Sequence, residues 1–209
     1  NAAAALDTTA AGDLWDNTLM TTTGTVAVKF SPLSATSGDN LLSYTLPTLV
    51  DGLGITGSYV AANTTGSGSS AFGATYTGVE GLTVSYGQAS SDNVINVQGD
   101  QTIMKASYAY GSFTVGISEN DYDHTTSTND QEVSSVSLAY TVSDQISVSY
   151  GEDTIERTGK TSDIEVSGIS ASYTSGGMTA TVAQVTAENT DHTAGTDREV
   201  WKIGLSFAF

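Results

Sequence analysis

Two histidines, two carboxylate clusters and six lysines and arginines are the side chains of this 209-residue sequence best equipped for chemistry. His124 and His192 lie in polar stretches beside Asp121, Asp123 and Asp191, and an imidazole next to a carboxylate is the raw material of general acid–base catalysis. Serine is so frequent that no single one stands out as a nucleophile, and a histidine in a polar loop is more often solvated than catalytic, so no catalytic group is assigned. The run Glu119-Asn-Asp-Tyr-Asp123 presents Glu119, Asp121 and Asp123 as oxygen ligands of the kind calcium takes, and Glu152-Asp153 does the same. Neither has the spacing of an EF-hand, and a solvated acidic loop is the plainer reading. Gly66-Ser-Gly68 precedes no helical pattern and reads as a flexible loop, not a phosphate cradle. Asn63-Thr-Thr65 matches a glycosylation acceptor only formally.

Composition narrows the classes. The net charge of −17, from 23 acidic and 6 basic residues, repels nucleic-acid phosphates and points to cations as partners, or to the solubility of exposed loops. Cysteine is absent, which removes disulfides and thiolate-bound metal, and no cofactor is implied. The first residues, Asn1 to Ala5, carry neither a basic nor a long apolar segment of the kind a signal peptide has, as expected of a secreted chain already processed. No stretch approaches the roughly 18 apolar residues of a spanning helix. The hydrophobic residues are mostly Val, Ile, Leu, Tyr and Phe interleaved with Ser, Thr and Gly, which suits a pleated sheet.

The elements that must carry these residues are short alternating segments. Period-two patterning predicts eleven strands, at 40–47, 53–62, 70–77, 82–90, 101–110, 113–119, 132–142, 146–152, 163–173, 178–188 and 198–209. One phase is apolar, as in Phe113, Val115, Ile117 or Ile146, Val148, Tyr150, and the opposite phase is Ser, Thr, Gly and Ala almost throughout. Tight connections at 48–52, 78–81, 111–112, 143–145 and 174–177 alternate with long polar ones at 63–69, 91–100, 120–131, 153–162 and 189–197. Tyr76, Tyr110, Tyr140 and Tyr173 gather beside the tight turns, where aromatic rings sit at a membrane–water interface. Residues 1–39 differ: 1–23 reads as a loop or short helix, and 24–30 as a possible twelfth strand.

The last strand, Arg198 to Phe209, puts Trp201, Ile203, Leu205, Phe207 and Phe209 on one face and Lys202, Gly204, Ser206 and Ala208 on the other. A strand of that kind has oil on one side and water on the other. A terminal aromatic such as Phe209 resembles the assembly signal of bacterial outer-membrane β-barrels. With the segment Asp39-Asn-Leu-Leu-Ser-Tyr-Thr-Leu-Pro-Thr-Leu-Val-Asp-Gly-Leu-Gly-Ile-Thr-Gly-Ser-Tyr59, the chain resembles the general diffusion porins of Gram-negative outer membranes, most like those of marine alphaproteobacteria, over residues 39–209.

That resemblance implies an all-β, transmembrane, antiparallel up-and-down β-barrel, with 11–12 strands here forming the C-terminal two-thirds of a sixteen-stranded one. A proteolysed porin, a complete twelve-stranded barrel and a partner chain supplying the remainder are the alternatives that account for the shorter front. The implied function is a water-filled channel in the outer membrane, trimeric, passing ions and small hydrophilic solutes and touching lipid and lipopolysaccharide. Residues 1–39 take the place of the constriction loop, so Asp7, Asp13 and Asp16 are expected at the pore constriction. Lys105 and Lys202, in the inward phase of their strands, are expected to face them. The acidic excess predicts weak cation preference. A secreted or surface-anchored all-β structural or adhesive protein, and a barrel enzyme using His124 or His192, are the competing classes.

Overall fold

The computed structural model describes residues 40–62, 68–93 and 97–208. Asp7, Asp13, Asp16, the expected strand 24–30, Asn63 to Thr65 and Phe209 lie outside the described residues. Within them, eleven strands form one antiparallel sheet in chain order: β1 (Leu41–Thr45), β2 (Leu53–Val60), β3 (Ser69–Val79), β4 (Leu82–Asn93), β5 (Val97–Tyr110), β6 (Phe113–His124), β7 (Gln131–Thr141), β8 (Ile146–Arg157), β9 (Ile164–Ser175), β10 (Met178–Glu188) and β11 (Arg198–Phe207). All eleven expected strands are present. No helix among the described residues is long and apolar enough to cross a membrane, which says nothing of crossing by strands.

One end of the sheet is tightly turned. Glu80-Gly81, Gly111-Ser112 and Gly176-Gly177 are complete connections, and Gly81, Gly111 and Gly176 adopt φ values of 76°, 58° and 59°. Two-residue hairpins need that left-handed backbone to match the strand twist, and glycine takes it without a Cβ clash.

The other end departs from expectation, because the strands run further than the alternation of apolar and small residues suggested. β6 extends to His124, β7 begins at Gln131, β8 extends to Arg157, and β4 and β5 leave only residues 94–96 between them. Residues expected in loops, Asn120 to His124 and Asp153 among them, therefore lie on strands. The physical reason is an exchange of chemistry between the two faces. Toward the tight turns the outer face is apolar and the inner face small and hydroxylic. Beyond mid-strand the outer face turns acidic, while the inner face carries Ile103, Tyr122, Val133, Ile155, Ile164, Val166, Val185 and Ala187, all buried. Val133, Ile155, Ile164, Val166, Val185 and Ala187 form one cluster across β7–β10, with Val200 packed against it. Burial of each such aliphatic side chain contributes about 1.5–3 kcal/mol. The expectation of Ser, Thr, Gly and Ala throughout the inner phase thus holds along the whole of β3 and β4 but only for the tight-turn half of β5–β10.

The outer boundary between apolar and polar is straight. Following paired residues across the sheet, one row passes from Phe72 on β3 to Gln88 on β4, and the next from Met104 on β5 to Glu119 on β6. The two rows after those pass from Val136 on β7 to Glu152 on β8 and from Ile169 on β9 to Gln184 on β10. Each step of one row, two residues along a strand, moves the boundary two strands across. With about 3.4 Å per residue and about 4.8 Å between strands, the line crosses the rows at roughly 35°. Strands of membrane barrels tilt by about 35–45°, so the boundary is level around the barrel axis. The tight turns climb by the same step, with Leu53, Leu82, Phe113, Ile146 and Met178 starting their strands one row apart. The apolar zone between these parallel lines is a band of even height.

Candidate functional site

The inner face of the tight-turn half is a wall of hydroxyls and glycine. Neighbouring strands join there through side-chain oxygens: Ser147 with Ser172 at 2.7 Å, Ser149 with Ser170 at 2.6 Å, and Thr75 with Ser85 at 3.1 Å. Gly54, Thr56, Gly73, Thr75, Ser85 and Gly87 line a recess of about 180 Å³ with Lys105 at its edge. Such a wall offers hydrogen bonds to passing water and solutes.

Lys105 lies on β5 in the inner phase, paired with Ser85 and Ser118, as its position in the sequence required. The same inner row continues through Ser135 to Asp153, about 14 Å away at three strand spacings. Asp153 is buried and inward while Glu152 points outward, so the two do not form the shared calcium site their adjacency suggested. Lys202 is also in the inner phase, opposite Ala183, but it is exposed on β11, six strands from Lys105. Pairing does not bring the two lysines together. Between the recess and the aliphatic cluster, Gln101 donates through Nε2 to Asn120 Oδ1 at 2.8 Å, both side chains buried. Sequence reasoning missed Gln101 and Asn120, and took Asp153 for a loop ligand, because a polar residue near an expected loop looks solvated. The alternating Tyr122, Val133, Ile155, Ile164 and Val166 were the signal that the strands continue.

On the outer face the carboxylates sit against one another. Glu119, Asp121 and Glu132 place one oxygen each within 4.8 Å of the others, close enough to share a cation. Asp123, expected in this group, instead pairs with Asp100, and Glu132 takes its place. Two outer aromatics stand at the upper edge of the apolar band, just below carboxylates. Trp201 Nε1 donates to Glu199 at 2.7 Å, and the Tyr150 hydroxyl donates to Glu152.

Both imidazoles are engaged by the backbone. His124 is the last residue of β6, not a loop residue, and its Nδ1 accepts from the Thr126 amide at 2.8 Å. His192 follows Asn189 and Asp191, and all three non-glycine residues have φ between 53° and 59°. His192 Nδ1 donates to the Ser162 carbonyl at 3.0 Å, and Asn189 Nδ2 donates to the Asp163 carbonyl at 3.1 Å, so the 189–197 loop is latched to the 158–163 loop. Burial holds the His192 pKa below its ordinary value. The Ser162 hydrogen bond and Asp163 oppose that shift, and Lys160 and Arg157 add to it.

An up-and-down antiparallel wall, apolar outside and hydroxylic inside over one continuous band, defines a membrane β-barrel protein. Residues 1–193 match the family model of the Gram-negative porins, and the chain belongs to that family, whose place is the bacterial outer membrane. The match includes the first 39 residues, which the resemblance seen in the sequence left aside. Among solved structures, an anion-selective porin from Comamonas acidovorans superposes with a TM-score of 0.66 at 14% identity, over 81% of this chain and 59% of that one. A porin refined at 1.8 Å resolution gives 0.61 at 18% identity, over 88% and 69%. OmpT, an outer membrane protein of Vibrio cholerae, gives 0.59 at 15% identity, over 80% and 63%. The chain thus spans about three-fifths of the length of the first of these. Among curated protein sequences none matches it.

Proposed function

We propose that the protein forms a water-filled outer-membrane channel through which ions and small hydrophilic solutes diffuse passively. The observation that carries this reading is the tight-turn half of the sheet, where each strand presents hydrocarbon-compatible side chains outward and Ser, Thr and Gly inward. Residues 1–39 serve as the constriction segment, with Asp7, Asp13 and Asp16 lining the narrowest point and Lys105 facing the lumen from the wall. The charge of −17 favours weak cation preference. A porin with the same fold is anion-selective, so fold alone does not set the sign. The working unit is a homotrimer embedded in lipid and lipopolysaccharide, a state for which the trimer form of Vibrio cholerae OmpT is a precedent in this fold.

The test is conductance of the detergent-purified, full-length protein in a planar bilayer, with selectivity taken from the reversal potential in a salt gradient. Stepwise openings with a cation-directed potential are expected. A folded, inserted protein that never conducts would sink the channel reading, and a chloride-directed potential would sink the cation preference alone.

A further inference from the structure

The outer apolar band is short for a membrane barrel. On β4, β6, β8, β9 and β10 it consists of three outward residues each, for example Leu82, Val84 and Tyr86, or Phe113, Val115 and Ile117. β5, β7 and β11 carry four, as in Met104, Ala106, Tyr108 and Tyr110; three to four outward positions occupy about 20–27 Å of strand and, at the roughly 35° tilt, about 17–22 Å of height. Barrel bands are ordinarily about 25 Å tall. To reach that height the band would have to take in the next row upward, which holds Gln88, Glu119, Glu152, Ser167 and Gln184. It would also have to pass the aromatic tips of Tyr150 and Trp201, which are already bonded to carboxylates one position higher.

We infer that acyl chains contact only this short band, ending at a level line just above Phe72, Met104, Val136 and Ile169. The remaining half of the β4–β10 wall stands above the hydrocarbon as a collar among headgroups and water. Three independent features converge on that line: the straight, tilt-matched boundary, the two aromatic–carboxylate pairs, and the exchange of faces. Above the line the inner side chains pack as in a water-soluble domain, around Val133, Ile155, Ile164, Val166 and Val185. A segment inside hydrocarbon gains nothing from an acidic exterior around an apolar interior, whereas a segment in water does. The membrane around this wall is accordingly thinned to the height of the band. The inference rests on the outer-membrane reading and deepens it.

The experiment places single cysteines at Val115 (mid-band), Ser134 and Ser167 (one row above the line) in the full-length protein, each carrying a polarity-sensitive fluorophore. All three side chains point outward. The variants are reconstituted in vesicles whose lipids carry bromine at defined depths on the acyl chain. Several-fold stronger quenching at Val115 than at Ser134 and Ser167, with water-like emission at the latter two, is the expected result. Quenching at Ser134 and Ser167 equal to that at Val115 overturns the collar while leaving the membrane protein intact. Absence of quenching at all three overturns the membrane reading itself, and the collar with it. Ser167→Leu supplies a second check: an added apolar row should raise quenching of a fluorophore at Ser134 if the lipid edge follows the band.

Discussion

Trp201 donates its indole N–H to Glu199, 2.7 Å away and two residues further up the outer face of β11. The ring lies against the apolar band and its polar edge reaches the first carboxylate above. A charge-assisted hydrogen bond at this level fixes the ring where hydrocarbon gives way to water. Glu199→Gln preserves an acceptor and is expected to cost little. Glu199→Leu removes the acceptor and is expected to cost about 0.5–1.5 kcal/mol. Urea unfolding of the micelle-bound protein measures both. Glu199 also accepts from Gln184 Nε2 at 2.8 Å, so equal stability of the Gln and Leu variants would show that neither bond contributes.

Asp121, Glu132 and Glu156 stand directly opposite one another across β6, β7 and β8. Like charges in that arrangement repel by about 0.2–1 kcal/mol per pair. Glu132→Gln removes the central charge and should stabilise the protein at low ionic strength, with the gain shrinking as salt rises. A destabilised variant at low salt would contradict the repulsion.

Ile155 is 1% exposed in the inner cluster and Ile203 is 85% exposed on the outer face. Ile155→Ala opens a cavity among Val133, Ile164 and Val166, with an expected loss of about 2–5 kcal/mol. Ile203→Ala leaves no cavity within the protein and should cost clearly less. Comparable losses would mean that the inner cluster is not a packed core.

The His192 latch should weaken in acid. Its folded pKa lies below the ordinary 6.5, so above that value the imidazole is neutral whether the latch is closed or open, and the contact contributes fully. As pH falls below 6.5 the released state takes up the proton first, and the contribution is lost progressively through the folded value. Protection factors in residues 158–163 and 189–197, taken relative to the intrinsic exchange rate at each pH, should therefore fall between neutral and mildly acidic pH, and His192→Gln should abolish that fall. Protection that rises with acidity would reverse the sign.

Lys105 borders the inner recess between β2 and β5, whereas Lys202 is exposed on β11. Lys105→Ala should shift the reversal potential further toward cations, and Lys202→Ala should do so less. Identical shifts would place both residues equally far from the conduction path.

Strand number, order and the tight-turn ends were legible in the sequence because Val-x-Val alternation and Gly-containing turns are local signals. The long-loop ends were not. Glu119, Asp121 and Asp123 occupy the same phase as Phe113, Val115 and Ile117, so a pattern search for outward apolar residues stops at Ile117 although the strand does not. Lys105 was assigned to the correct face by parity alone. That Asp123 faces Asp100 while Glu132 joins Glu119 depends on the register between β5, β6 and β7, which the pattern of no single strand contains.

The exchange of polarity midway along β5–β10 also bears on how the wall assembles. If two strands pair one residue out of step, every side chain of one of them moves to the opposite face. In a barrel with a uniformly small-residue lining, the misplaced half would bury serines and threonines and expose a few aliphatics. Here a shifted β8 would turn Asp153 and Arg157 toward the exterior and drive Glu152 and Glu156 into the cluster of Val133, Val166 and Val185, while Tyr150 and Val148 entered the lumen. Errors of that kind are penalised at both ends of the strand together, so the same residues that shorten the lipid-facing band proofread the order in which the sheet is zipped.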